Sequence, residues 1–388
     1  MKKVFVFTLF LLAILLVACA PAAPAAPAAP AAEEEAAAPA PAEAEAPAAE
    51  EAAPVAEKEV VTDTDTYEKA VMYSEIEKTF GPIPKPAAGT TLGFVAKAYE
   101  NEFWRQVKEG VEAQVKELQD GGLDITGDVR AAQGEADEQG QAAIMNDMVN
   151  KKYTAIIASP ISDGNLVPPT EKAHMAGIPV INAIGGFSSV MDVYVGPKHY
   201  QSGELAAEWI ANKLGADGGE VAVIMGMPKE SAARGRTQGF GDWLEANSPN
   251  VKLVDTQNAD WDRTKAKDVM DTLLKKHPNL KAVYCNNDTM AMGALEAVKA
   301  ANKLDSVLVV GNDGTTEALK SVKDGELAAT VNIYPYFGGK ISVDIALRKL
   351  AGQEVPLVIY SSQAIIDPSN VDLPAEEVIG WTGLKFAE

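Results

Sequence analysis

The sequence predicts an α/β protein of two lobes, each a parallel sheet flanked by helices. Strand-like apolar runs alternate with helix-like stretches of about ten to fifteen residues, the pattern of parallel strands joined by right-handed crossovers. One sheet holding all of these strands would be unusually large, so two are expected. A strand followed by a helix at residues 91–119 has a counterpart at 220–247, and this internal symmetry divides the chain in the same way.

At the N-terminus, Lys2 and Lys3 precede an apolar run over residues 4–17, too short for a good spanning helix, that reads as a secretory signal. The run ends in Leu16-Val17-Ala18-Cys19, which resembles a bacterial lipobox. It predicts a signal of residues 1–18, cleavage before Cys19 and lipidation of the Cys19 thiol; the alternative is an ordinary signal that carries a cysteine. The mature protein would then be exported and anchored to the outer face of the cytoplasmic membrane without spanning it. Residues 19–61 are Pro-Ala and then Glu-Ala-Pro repeats with no aromatic side chain, too little apolar surface to offset ordering, and so read as a tether. Nine Glu against one Lys between residues 20 and 60 supply eight of the net charge of −21. Pro spacing and self-repulsion should keep this stretch extended. Acidity overall excludes a nucleic-acid partner, which needs a basic face. Cys285 is the one cysteine left after Cys19, so no intramolecular disulfide can form, and its apolar setting predicts a small buried hydrophobe.

Residues 62–88 form a lead-in with one short helix expected over 67–78 and a Pro-rich exit at 81–86. Strands are then expected at 91–95, 123–126, 155–158, 179–182, 193–195, 220–225, 252–255, 281–285, 307–310 and 328–334. Helices are expected at 105–119, 139–150, 166–176, 202–214, 236–247, 264–277, 289–301, 315–324 and 339–350. In the first of these Val107, Val111, Val115 and Leu118 recur at intervals of three and four. Ligands of such sheets sit at the carboxyl ends of the strands.

The loop after the first strand holds Lys97, Asn101, Phe103 and Trp104: an ammonium, an amide and two adjacent rings. Rings of this kind cover the apolar faces of a sugar while Lys and Asn bond its hydroxyls. Arg234, placed ahead of the helix expected at 236, can fork to two hydroxyls; Arg236, on that helix, reads as solvated. Trp261 sits on a polar loop where stacking on a ligand is credible. In Asn286-Asn287-Asp288-Thr289 and Gly311-Asn312-Asp313-Gly314, one residue of each set should cap the next helix while another points into the site. Signals of catalysis are thin. His174, His199 and His277 are not spaced as metal ligands, and no Gly-x-Ser-x-Gly, phosphate-loop or dinucleotide fingerprint appears in context, so neither an enzyme nor a cofactor is expected.

From about residue 91 to 367 the chain resembles the type I periplasmic sugar-binding proteins of ABC importers, such as those for ribose and D-allose. The runs that carry the likeness are 97–104, 259–263, 282–293 and 309–314. The resemblance implies a clamshell with three crossovers, with hinges near Val195, Ile333 and Ser362. Residues 89–194 and 334–362 would make the N-terminal lobe, and 195–333 and 363–388 the C-terminal lobe. Lys97, Asn101, Phe103 and Trp104 would face Arg234, Trp261, Asn287 and Asp313, the three rings sandwiching the sugar. Two departures stand out. Ile184 occupies the place of an expected Asp, and Ile333 that of an expected Gln; Asn182 and Asn332 are the weaker candidates to substitute. Each lost bond to a buried hydroxyl would be worth about 1–3 kcal/mol. The implied partners are a monosaccharide, with an aldohexose favoured over a pentose or polyol, and a permease with its ATPase subunit. A monomer is implied. Sugar sensing through a chemoreceptor or histidine kinase, or a nucleoside ligand on the same fold, are the alternatives.

Overall fold

A computed structural model describes residues 59–385. The expected signal, Cys19 and most of the tether lie outside the described residues.

The first lobe carries β1 (Val71–Met72), α1 (Tyr73–Phe80), β2 (Thr90–Ala98), α2 (Glu102–Asp120), β3 (Ile125–Ala132), α3 (Glu138–Asn150), β4 (Ala155–Ala158), α4 (Val167–Met175), β5 (Val180–Ala183) and β6 (Val193–Gly196). The second carries α5 (His199–Leu214), β7 (Gly219–Met225), α6 (Ser231–Asn247), β8 (Val251–Asn258), α7 (Arg263–Lys276), β9 (Leu280–Cys285), α8 (Asp288–Ala300), β10 (Leu308–Asp313), α9 (Thr316–Lys323) and β11 (Ala329–Asn332). The chain then returns to the first lobe for α10 (Pro335–Leu350) and β12 (Val358–Tyr360), and crosses again for β13 (Ala364–Ile366) and α11 (Ala375–Ile379).

The first sheet runs β1-β12-β6-β5-β4-β2-β3, every pair parallel. The second runs β13-β11-β10-β9-β7-β8, parallel except that β13 lies antiparallel to β11. Central strands such as β4 and β5 are apolar along most of their length because helices cover both faces of each sheet. Close packing of α2 on α10 depends on Gly110 and Gly339, where an added Cβ would come within 1.9 Å of Tyr336 O and 2.2 Å of Val107 O. Cys285 is buried in the second lobe, as its apolar run predicts.

The three crossovers fall at 197–198, 333–334 and 361–363, beside the expected hinges. Two segments depart from the expected boundaries. The lead-in is part of the first lobe: β1 pairs with β12 (Val71↔Ile359), and Ile76 and Ile83 are buried in the core. Its helix begins at Tyr73 rather than 67, because residues 71–72 are drawn into the sheet edge. The C-terminal stretch also leaves the second lobe. Beyond α11, Trp381 stacks on Phe337 of α10 at 4.3 Å and Lys385 O accepts from Ile83 N at 2.8 Å, so the chain crosses a fourth time.

Candidate functional site

Both sheets end at one interlobe cleft, and the loops at their carboxyl ends supply its floor. Lys97, near the end of β2, is 2% exposed. Asn101 caps α2, accepting from Phe103 N at 3.0 Å, which sets Phe103 and Trp104 in the first turn. Their rings meet edge to face at 4.7 Å, and the Lys97 ammonium lies 5.4 Å from the Trp104 ring. From the other lobe come Trp261, held by a backbone with φ of +67°, and Asn287, whose Oδ1 accepts from Met290 N at 2.8 Å to cap α8. Asp313 ends β10, and Asp288 fixes the turn after it by accepting from Gly314 N and Thr315 N, each at 2.8 Å. Asn287 thus caps and lines the site at once, while Asp288 acts as a brace.

Seven of the eight principal residues expected from sequence therefore meet around one cavity. Arg234 does not. It is half exposed and its Nη2 donates to Asp163 Oδ2 across the cleft at 2.6 Å. The residue that reaches the floor is Arg236, 4% exposed, whose Nη1 donates to Asp313 Oδ1 at 3.1 Å and to the Asn286 carbonyl. The reason is helix phase. Helix α6 starts at Ser231 rather than 236, so both arginines lie on it, about 200° apart around its axis. The two weaker candidates are structural. Asn182 donates to Gly186 O at 3.0 Å and accepts from Ser188 N at 2.8 Å, pinning its own loop. Asn332 accepts from Tyr334 N at 2.7 Å at the hinge. Ile184 itself lines the cavity, whereas Ile333 is fully buried in the core.

Two acids complete the floor. Glu230, directly ahead of α6, pairs with Lys97 of the opposite lobe and accepts from Trp261 Nε1 at 2.8 Å. Glu135, in the loop after β3, accepts from Asn101 Nδ2 and Trp104 Nε1, each at 3.0 Å. Burial raises the Glu135 carboxyl above the usual range against the pull of Lys97. Burial also raises Asp313, and Arg236 opposes that shift. The sign that could have found both glutamates is position, since each follows the carboxyl end of a strand. The space left between these side chains is only about 30 Å³, and Lys97 and Glu230 meet across it.

The rim is held differently. Asp163 of the first lobe accepts from Ser231 N at 3.1 Å, and Glu102 accepts from Thr316 N at 2.9 Å, so each first-lobe acid caps a second-lobe helix. Lys229 pairs with Glu138 across the same gap. A groove of about 970 Å³ is lined by Glu102 and Lys229 together with Asn101, Glu135 and Trp261.

A family model described as periplasmic binding protein domain matches residues 92–354. The D-allose-binding periplasmic protein of Escherichia coli K12 is 37% identical over 282 residues, covering 70% of this chain and 88% of that one. The ribose import binding protein RbsB of Bacillus subtilis is 33% identical over 270 residues, covering 69% and 84%. Among solved structures, an ABC transporter periplasmic solute-binding protein of Actinobacillus succinogenes with bound D-allose superposes with a TM-score of 0.68 at 28% identity, covering 73% of this chain and 99% of that one.

Proposed function

The chain belongs to the periplasmic binding protein family, as a type I sugar-binding protein of ABC importers, and from that premise we propose that its cleft takes a single monosaccharide, an aldohexose before a pentose or polyol. It is an extracytoplasmic binding protein and not an enzyme. The observation that carries the ligand reading is the union, around one buried cavity, of rings from both lobes (Phe103, Trp104 and Trp261) with Lys97, Arg236, Asn287 and Asp313. Rings match the apolar faces of a pyranose, and ionised donors and acceptors satisfy its hydroxyls with bonds of about 1.5–3 kcal/mol each.

Binding couples to motion because the polar groups come from both lobes. A sugar that bonds both favours the closed state, and the permease reads that state. The protein works as a monomer, lipid-anchored through Cys19, with the Ala/Pro/Glu tether that follows it letting it reach the permease. The test is a thermal-shift screen of the mature full-length chain against D-allose, other aldohexoses, pentoses, polyols and nucleosides. A rise in melting temperature with an aldohexose supports the reading. A rise with a nucleoside and none with any sugar or polyol contradicts it.

A further inference from the structure

Glu230 is an acid that neither composition nor helix capping explains. It is 1% exposed and its side chain accepts no capping bond from α6; instead its two oxygens are divided between Lys97 of the first lobe and the Trp261 indole of its own lobe. Lys97, 2% exposed, has no other salt-bridge partner among the described residues. On the first lobe, Ile184 and Glu135 line the same cavity as Lys97, and a Cβ added to Gly185 would sit 3.1 Å from Lys97 Cε. Glu135 of the first lobe feels the Lys97 charge at a distance, but the carboxylate in direct contact with the ammonium is delivered from the opposite lobe.

We propose that Glu230 is a specificity-determining residue of the sugar site, which selects a ligand carrying a hydroxyl that bridges Lys97 and Glu230. The inference rests on the sugar reading above. Its chemistry follows from donor and acceptor counts. An ionised carboxylate only accepts and an ammonium only donates, whereas a hydroxyl does both. A hydroxyl placed between them accepts from Lys97 and donates to Glu230, keeping both charges paired as the ligand enters a space that is now filled by their direct contact. A ligand without that hydroxyl would either leave the ion pair unbridged and occupy less of the cavity, or separate the two charges with neither satisfied. Sites built to bond a hydroxyl reject its deoxy analogue strongly for this reason. Because the two charges sit on different lobes, the bridge forms only on closure, and the same hydroxyl that is recognised also favours the closed state.

The experiment is isothermal titration of the mature full-length protein, Glu230→Gln and Lys97→Met, with D-allose, D-ribose and the monodeoxy analogues of whichever binds. The parent should reject one monodeoxy analogue by about 100-fold or more relative to the full sugar, and both variants should reduce that ratio to within about 3-fold. Having Lys97→Met as well as Glu230→Gln keeps the test open if one variant fails to fold, which circular dichroism reports. A purely structural Glu230 would weaken every ligand by the same factor and leave the ratio at its parent value, overturning the inference while the sugar reading stands. Failure of the parent to bind any sugar overturns the sugar reading and this inference with it.

Discussion

Charged pairs line both the floor and the rim of the cleft, and they are built in opposite ways. On the floor, the side chains of Lys97, Glu230, Arg236 and Asp313 are at most 5% exposed. At the rim, the Arg234 and Asp163 side chains are 49% and 35% exposed, and those of Lys229 and Glu138 are 46% and 34%. Removing one partner of a buried pair costs about 3–5 kcal/mol because the other is left uncompensated. Exposed pairs are worth about 0.2–1 kcal/mol. The floor therefore has the energy to discriminate between ligands, whereas the rim can only bias the balance of open and closed states for every ligand alike.

The largest effect that would break this comparison is on the floor. Asp313→Ala strips Arg236 of its partner and the sugar of an acceptor, and should weaken binding by at least about 100-fold in calorimetry. Next is Asp163→Ala at the rim, which removes the trans-lobe cap on Ser231 N and the partner of Arg234. It should weaken all sugars by a common factor of about 5, near 1 kcal/mol, with small-angle scattering showing a more open unliganded form. A change in ligand ranking would show that the rim also recognises the sugar. Smaller again is Glu102→Gln, which loses charge at the N-terminus of α9 but keeps an acceptor, with an expected uniform loss of about 2-fold.

The smallest effect concerns stability and pH. Asp65 of the lead-in accepts from Tyr200 N at 3.1 Å at the start of α5, and burial pushes its carboxyl up to about 6, with Asp63 adding to the shift and Tyr200 N–H and Lys198 opposing it. The folded state thus holds this proton more tightly than the unfolded chain. Its contribution is greatest below the ordinary carboxylate range, declines as pH rises towards 6 and is flat above. Urea unfolding should show the parent losing stability relative to Asp65→Asn between pH 4 and pH 7. An unchanged difference would place Asp65 in solvent.

The same contrast explains what was legible in the sequence. The alternation of strands and helices carries the two-lobed fold because each element's period is local. The first-lobe wall of the site was readable because Lys97, Asn101, Phe103 and Trp104 lie within a single loop and helix turn, where an unusual combination stands out. Arg236 was misplaced because no Ser, Thr, Asn or Asp marks position 230 as a cap, so the helix start was set five residues late and the wrong arginine turned inward. Glu135 and Glu230 were hidden by an acidic composition in which one more carboxylate is no signal. Strand β1 and the return of Trp381 depend on partners far along the chain, at Ile359 and Phe337, and no local pattern encodes them.

The two arginines of α6 test the account most directly, being two residues apart on one helix. Titration of D-allose, or of whichever sugar the parent binds, into Arg236→Ala and Arg234→Ala side by side should show binding lost in the first and weakened only a few-fold in the second. Loss of binding in Arg234→Ala with retention in Arg236→Ala would contradict the division between floor and rim.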